Sequence, residues 1–373
     1  MIRILHSVSN MDRAGLETML MNYYRHMDRE KIQFDFLCNK SKPGAYEKEI
    51  IQMGGKIYRT PGLNPIRYME YLHYMTDLFK KNKEYQIVEA HNGTLGVYAL
   101  HAAKVNHIPV RICHSHNTKV ELDWKFPIKI VCKQLLPNNM THHFACGIEA
   151  ARGYFGDAVV RAGNYTLIYN AIDVEKFTFN KNTRDSIRAQ YNLENKKVIG
   201  HIGRFMTQKN HDFLLTIFSE IYKKDNNVVL VLLGEGELEA KIKNKACKMG
   251  ISDRIKFMGS VSNANEWYNA FDLFLLPSLH EGLPLVGVEA QANDLPCIFS
   301  DTISKEVALT NKTQFVSLQA PTSEWADIVL EKMKNDVRRD NTQLMTEKHY
   351  NIATEAKSLQ NYYLKLYEEA QQK

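Results

Sequence analysis

The chain has 373 residues, 44% hydrophobic and 24% charged, a globular composition too long for one compact core and suited to two domains. No apolar run approaches the ~18 residues of a membrane-spanning helix, and the first residues read as a strand rather than a secretory leader. Six scattered cysteines without a Cys-x-x-Cys pair read as buried thiols in a reducing, cytoplasmic setting, neither a disulfide frame nor a zinc site.

Short apolar runs alternate with amphipathic stretches along the chain. In the first half, Ile2–Leu5, Phe34–Cys38, Ile87–Ala90, Val110–Cys113 and Phe144–Cys146 read as strands, and Leu16–His26, Ile66–Lys81, Leu95–Val105 and Ile128–Leu136 as helices. A polar stretch, roughly Asn170–Lys197, follows and reads as the linker. Beyond it, Val198–Ile202, Val228–Leu233, Ile255–Phe257, Leu273–Leu276 and Cys297–Phe299 read as strands, and His211–Tyr222, Leu238–Met249, Glu266–Ala270 and Leu285–Ala292 as helices. The alternation predicts an α/β protein with two doubly wound, Rossmann-like parallel-sheet domains, 1–169 and 170–349. The segment 350–373 carries aromatic residues at helical spacing and is expected to pack back on the first domain. Ligands of such sheets bind beyond the strand C-termini, so two facing edges would put the chemistry in a cleft at the strand ends.

The net charge of +6 is uneven. Residues 1–165 hold 22 Lys+Arg against 15 Asp+Glu, and the remainder 26 against 27. The excess implies an anionic partner for the first half, a phosphorylated substrate or an acidic membrane surface. Lys119–Lys133, with Trp124 and Phe126 among lysines, has the look of an interfacial helix.

The strand-end motifs carry the chemistry. After Val198–Ile202 come Gly203, Arg204 and Lys209, two cations suited to a departing diphosphate. After Leu273–Leu276 comes Glu281-Gly282-Leu283-Pro284-Leu285, with Pro284 placed in a first helical turn and the amides of Leu285 and Val286 free for an anion. Glu289 sits in the apolar helix beyond, where an acid needs a reason. Gly234 and Gly236 permit close backbone approach, and Gly259-Ser260-Val261 offers backbone groups to a base. In the first half, Gly15 keeps the first βα turn open to the donor diphosphate or sugar. His114 and His116 alternate across a strand end, so that one faces the cleft, and Glu89, His91 and Asn92 are further polar candidates. The histidine pair hints at metal, but no third ligand stands nearby in sequence. There is no Gly-x-Gly-x-x-Gly or Gly-x4-Gly-Lys-Ser/Thr motif, which argues against nicotinamide chemistry and a P-loop ATPase.

In this order the set resembles the retaining glycosyltransferases of family 4, of GT-B architecture, nearly throughout. Ala14-Gly15-Leu16-Glu17 stands for the family's Gly-Gly-x-Glu turn, and Asn170-Ala171-Ile172-Asp173 with Phe177 for its interdomain segment. Gly203-Arg204-Phe205 with Lys209, Gly234-Glu235-Gly236, and Glu281 with Glu289 as Glu-x7-Glu complete the match. Ala14 and Ala171 replace glycines. The resemblance implies that Arg204 and Lys209 bind the donor diphosphate, Glu289 the ribose and Glu281 the sugar hydroxyls. Gly282, Leu283 and Pro284 would shape the phosphate turn, and His114 or His116 would face the sugar. It further implies a nucleotide-sugar donor, with UDP favoured over GDP, no metal and no other cofactor. Transfer would proceed by same-face attack to a saccharide or lipid-diphosphate-linked acceptor of exopolysaccharide or capsule synthesis, at the inner membrane face; no nucleic-acid partner is implied. The rivals are a GT-B nucleotide-sugar 2-epimerase, which would act on donor alone, and a silent binding module, which would tolerate loss of Glu281.

Overall fold

The computed structural model describes residues 1–116, 126–334 and 337–372. The chain divides into two compact units, Met1–Ala171 with Ile352–Lys373, and Ile172–Asn351. The first holds β1 Ile2–Val8, β2 Ile32–Cys38, β3 Ile57–Arg59, β4 Tyr85–Ala90, β5 Val110–Ser115, β6 His142–Ala145 and β7 Thr166–Leu167, in the order β3-β2-β1-β4-β5-β6-β7. The second holds β8 Lys197–Ile202, β9 Val228–Leu233, β10 Ile255–Phe257, β11 Leu273–Leu276, β12 Cys297–Ser300 and β13 Thr313–Val316, in the order β10-β9-β8-β11-β12-β13. Every pairing is parallel. Covered on both faces, β9 and β11 are wholly apolar and buried at every position.

Strand order matters more than strand count. In each sheet the winding reverses at one point, between β1 and β4 and between β8 and β11. A crevice opens at such a reversal because the connections leave to opposite sides. The loops after β8 and β11 carry Arg204, Lys209 and Glu281, and the ends of β4 and β5 carry Glu89, His91, His114 and His116.

Three parts of the sequence reading change. The short strands β3, β7 and β13 escaped it, each being two to four residues long without a distinctive pattern. The stretch 170–197 is not a polar linker. It holds a helix, Lys181–Gln190, whose N-cap Asn180 accepts from the Thr183 amide, and whose Arg184 and buried Arg188 bond the Asp272 carboxylate. Part of its polarity, that of Arg184 and Arg188, is satisfied inside the second unit. The chain crosses between units at 171/172 and again at 351/352.

After the second crossing, the helix Ile352–Gln371 belongs to the first unit. Gln360 Oε1 accepts from the Asp28 amide at 2.7 Å, and the buried Tyr363 hydroxyl donates to Glu89. Among the described residues no helix is long and apolar enough to cross a membrane.

Candidate active site

At the end of β8 the backbone passes through Gly203 and Arg204 into a short 3-10 turn, Thr207–Lys209. Asn210 then takes a left-handed conformation, φ 55°, which asparagine tolerates. Its side chain donates to the Pro277 carbonyl at 3.1 Å, and the Leu279 amide donates to the Gln208 carbonyl at 2.8 Å, so the loops after β8 and β11 are stitched together. Glycine is required close by: a Cβ at Gly234 would meet the Gly203 carbonyl oxygen at 2.2 Å, and one at Gly236 the Phe205 carbonyl oxygen at 2.5 Å. The Gly234 amide donates to the Gly259 carbonyl at 2.8 Å, and Glu235 accepts from the Ser260 amide, so these glycines and the segment reaching Val261 form one backbone rim.

On this frame the Lys209 ammonium sits 2.6 Å from Glu281 Oε1, with the two side chains 15% and 11% exposed. The Glu281 carboxylate also accepts from Gln208 at 3.4 Å. The two residues expected to hold different parts of a donor therefore hold each other. Arg204 is exposed, and its guanidinium has no partner among the described residues. The sub-site combines one uncompensated cation with one ion pair.

Pro284 is the N-cap of the helix Leu285–Ala292, one position earlier than the first-turn placement expected, and no side chain caps that end. Gly282, Leu283 and Leu285 flank it. Glu289 is partly buried and accepts from the Tyr268 hydroxyl at 2.6 Å. Burial pushes its carboxyl up to about 7 despite that bond, so near neutral pH it exists in both protonation states.

The first unit presents a different surface. His114 and His116, two residues apart at the end of β5, share one face, since strand side chains alternate with a period of two; their rings stack with centroids 4.1 Å apart. The expectation that they point to opposite sides is thus corrected. His114 Nδ1 lies 2.8 Å from Glu89 Oε1, and the Tyr363 hydroxyl bonds Glu89 Oε2. His91 links His6 and His116, with N···N distances of 3.0 Å on both sides. Burial holds the His6 imidazole down at about 4 and His114 at about 3, and pushes the Glu89 carboxyl up. The imidazoles are therefore neutral at pH 7. The third imidazole that sequence spacing did not supply is His91, brought alongside by strand pairing.

Comparison with known proteins decides the family. The model described as "Glycosyltransferase Family 4" matches residues 13–176, and that described as "Glycosyl transferases group 1" matches residues 183–348. The chain is 37% identical to EpsF of Bacillus subtilis (strain 168) over 332 residues, 88% of this chain and 86% of that protein. It belongs to glycosyltransferase family 4. An Escherichia coli relative, UDP-Gal:alpha-D-GlcNAc-diphosphoundecaprenol alpha-1,3-galactosyltransferase, is 26% identical over 80% of this chain and 79% of its own. The crystal structure of Anabaena Alr3699/HepE in complex with UDP and glucose superposes with a TM-score of 0.74 at 17% identity, over 97% of this chain and 95% of that one. The chain has the GT-B fold, two Rossmann-like domains.

Within this family-4 glycosyltransferase, the structure gathers Arg204, Lys209, Glu281, Glu289 and the glycine rim in the second unit. Gly15 starts the first helix of the other unit, with open space where a Cβ would project. Ala14, in place of a glycine, is the N-cap at φ −127°, which any residue adopts. Sequence reasoning missed His6, Tyr268 and Tyr363 as parts of these clusters. The usable signal was a polar residue in a strand buried on both faces: His6 pairs in register with Glu89. Lys119, Trp124 and Lys125 of the suspected interfacial helix lie outside the described residues. Of the described remainder, Lys129 is buried and Lys133 donates to the Gly153 carbonyl, so neither is free to meet lipid.

Proposed function

We propose that this glycosyltransferase transfers a sugar, with retention and without a metal in the chemical step, from a UDP-sugar to a saccharide or lipid-diphosphate-linked saccharide in exopolysaccharide or capsule assembly. The observation that carries this reading is the convergence of Arg204, the Lys209–Glu281 pair and the Tyr268–Glu289 pair around the β8/β11 reversal. The UDP bound in the HepE crystal structure and the UDP-Gal and lipid diphosphate in the name of the Escherichia coli relative support the donor and acceptor classes.

Each residue has a role that follows from its chemistry. Charge builds on the diphosphate as the anomeric C–O bond breaks. Arg204 meets it with an unshared, bidentate-capable guanidinium, and Lys209 with an ammonium already fixed by Glu281. Glu281 accepts from the sugar hydroxyls, and ionised Glu289 accepts from the ribose hydroxyls. The backbone rim at Gly234, Gly236, Gly259 and Val261 borders the base, while the uncapped turn at Gly282–Leu285 meets phosphate. Of the two strand-end histidines, His116 is the half-buried one and is assigned to the sugar's reactive face; His114 is enclosed. The acceptor oxygen bonds to the anomeric carbon on the face the diphosphate leaves, through an oxocarbenium-like state, and its proton passes to the departing phosphate oxygen.

Peripheral contact of the first unit with an anionic membrane, on the cytoplasmic side, is part of the proposal; its basic excess supports it. The test is a panel of nucleotide sugars scored for thermal stabilisation and slow hydrolysis. Stabilisation by one UDP-sugar, with release of UDP, is expected. Epimerisation of donor in the absence of acceptor, or indifference to every nucleotide sugar, would overturn the reading.

A further inference from the structure

The imidazole cluster of the first unit has the organisation of a metal site. His91 follows β4, and His114 and His116 end β5; one ligand atom from each lies within 4.8 Å of the others. Three imidazoles are a common donor set for zinc-class cations, which bind neutral ring nitrogens at about 2.0–2.1 Å and leave a fourth position to water.

The outer partners are the stronger observation. A metal-bound histidine typically donates its other ring N–H to a carboxylate or another acceptor, which fixes the tautomer and turns the lone pair inward. His114 has this arrangement: Nδ1–H faces Glu89 Oε1 at 2.8 Å, Glu89 is itself held by the Tyr363 hydroxyl, and His114 Nε2 is fully buried with no hydrogen-bond partner among the described residues. His91 repeats it, with Nε2 against His6 Nδ1 and Nδ1 turned to His116 Nε2, each at 3.0 Å. With His91 Nε2–H donating to His6, the His91 Nδ1 lone pair faces His116 Nε2, in a ring-to-ring hydrogen bond that a shared cation would replace. A buried acceptor without a donor is costly, and a cation bound by His114 Nε2 removes that cost. His116 is only half-buried, which leaves an entry path.

We infer that His91, His114 and His116 bind one zinc-class divalent cation at the C-terminal edge of the first sheet, with Glu89 and His6 as its outer partners. The ion is not a participant in the transfer proposed above. Its occupancy engages His116 and so competes with a sugar for that imidazole.

The full-length protein, stripped with chelator and exchanged into chelator-free buffer, is titrated with ZnCl2 in a calorimeter, and the zinc-loaded sample is examined by X-ray absorption. One equivalent is expected, with a shell of imidazole nitrogens at about 2.0–2.1 Å and no sulfur. Glu89→Gln, which keeps the shape but loses the charge, is expected to weaken zinc binding about 10–100-fold, and His91→Gln to weaken it further. No stoichiometric zinc, a sulfur-containing shell such as the exposed Cys247 would give, or unchanged affinity in folded Glu89→Gln protein overturns the inference. If His91→Gln fails to fold, the wild-type absorption spectrum decides. Binding is read without donor or acceptor, so the transfer reading stands or falls separately.

Discussion

The two sheets solve the same architectural problem with opposite chemistry. At the β8/β11 reversal the side chains are charged and compensated at short range: Lys209 against Glu281, with Arg204 left exposed. At the ends of β4 and β5 the groups are buried and held neutral, imidazoles against one another and against a single carboxylate. Charges at a half-open loop can be shared with an arriving anion. Neutral rings in a dry pocket offer directed lone pairs and little field. The two proposals rest on that difference: a diphosphate is assigned to the second unit, and a sugar or a cation to the first.

Removing the free cation is expected to produce the largest effect. Arg204→Ala should lower transfer by about 10²–10³-fold with an unchanged unfolding midpoint, because its guanidinium supports no fold contact among the described residues. Lys209→Ala should cost somewhat less activity, and some stability too, since it strands the Glu281 carboxylate. Near-normal turnover in both variants would dissolve the contrast between the units.

The opposed pH responses come next. Buried His6 and His114, lowered to about 4 and about 3 from 6.5, favour folding fully above pH 6.5, and that contribution is lost as pH falls through those values. Glu289, raised from 4.5 to about 7, works the other way: its contribution is complete below 4.5 and lost as pH rises through 7. Hydrogen exchange resolved by segment should show the first unit weakening in acid. Glu289→Gln should relieve the second unit at pH 8 by on the order of 2 kcal/mol, discounted for partial exposure. Parallel slopes in the two units would refute the assignment.

A smaller effect is expected for Tyr363→Phe. It removes one donor from Glu89 and should cost about 1–3 kcal/mol in urea unfolding, without shifting the protection pattern of the second unit. The smallest is the absence of a loss: chelator treatment should not lower the transfer rate. A rate that collapses on chelation and returns with added metal would end the metal-free reading of the chemical step.

Legibility differed from place to place for identifiable reasons. The strand-end motifs of the second unit were visible because each lies within one loop or one turn, where spacing reports geometry: Gly203 to Lys209, and Glu281 to Glu289. The imidazole cluster was not, because its members come from β1, β4, β5 and the last helix. The nearest sequence clue, His114 with His116, was read with the wrong pleat. Residues 170–197 were misread because polarity was equated with exposure, although Arg184 and Arg188 spend theirs on Asp272.

By itself the sequence determined the class of fold, the family and the loop-borne charged residues, since hydrophobic period and short-range spacing are local properties. Tertiary structure alone decided that Lys209 is paired with Glu281, that Glu289 is perturbed by burial beside Tyr268, and that His91 stands with His114 and His116. Contacts between strands distant in sequence depend on the order in which a sheet is wound, and burial depends on everything packed around a group. Neither can be read along the chain.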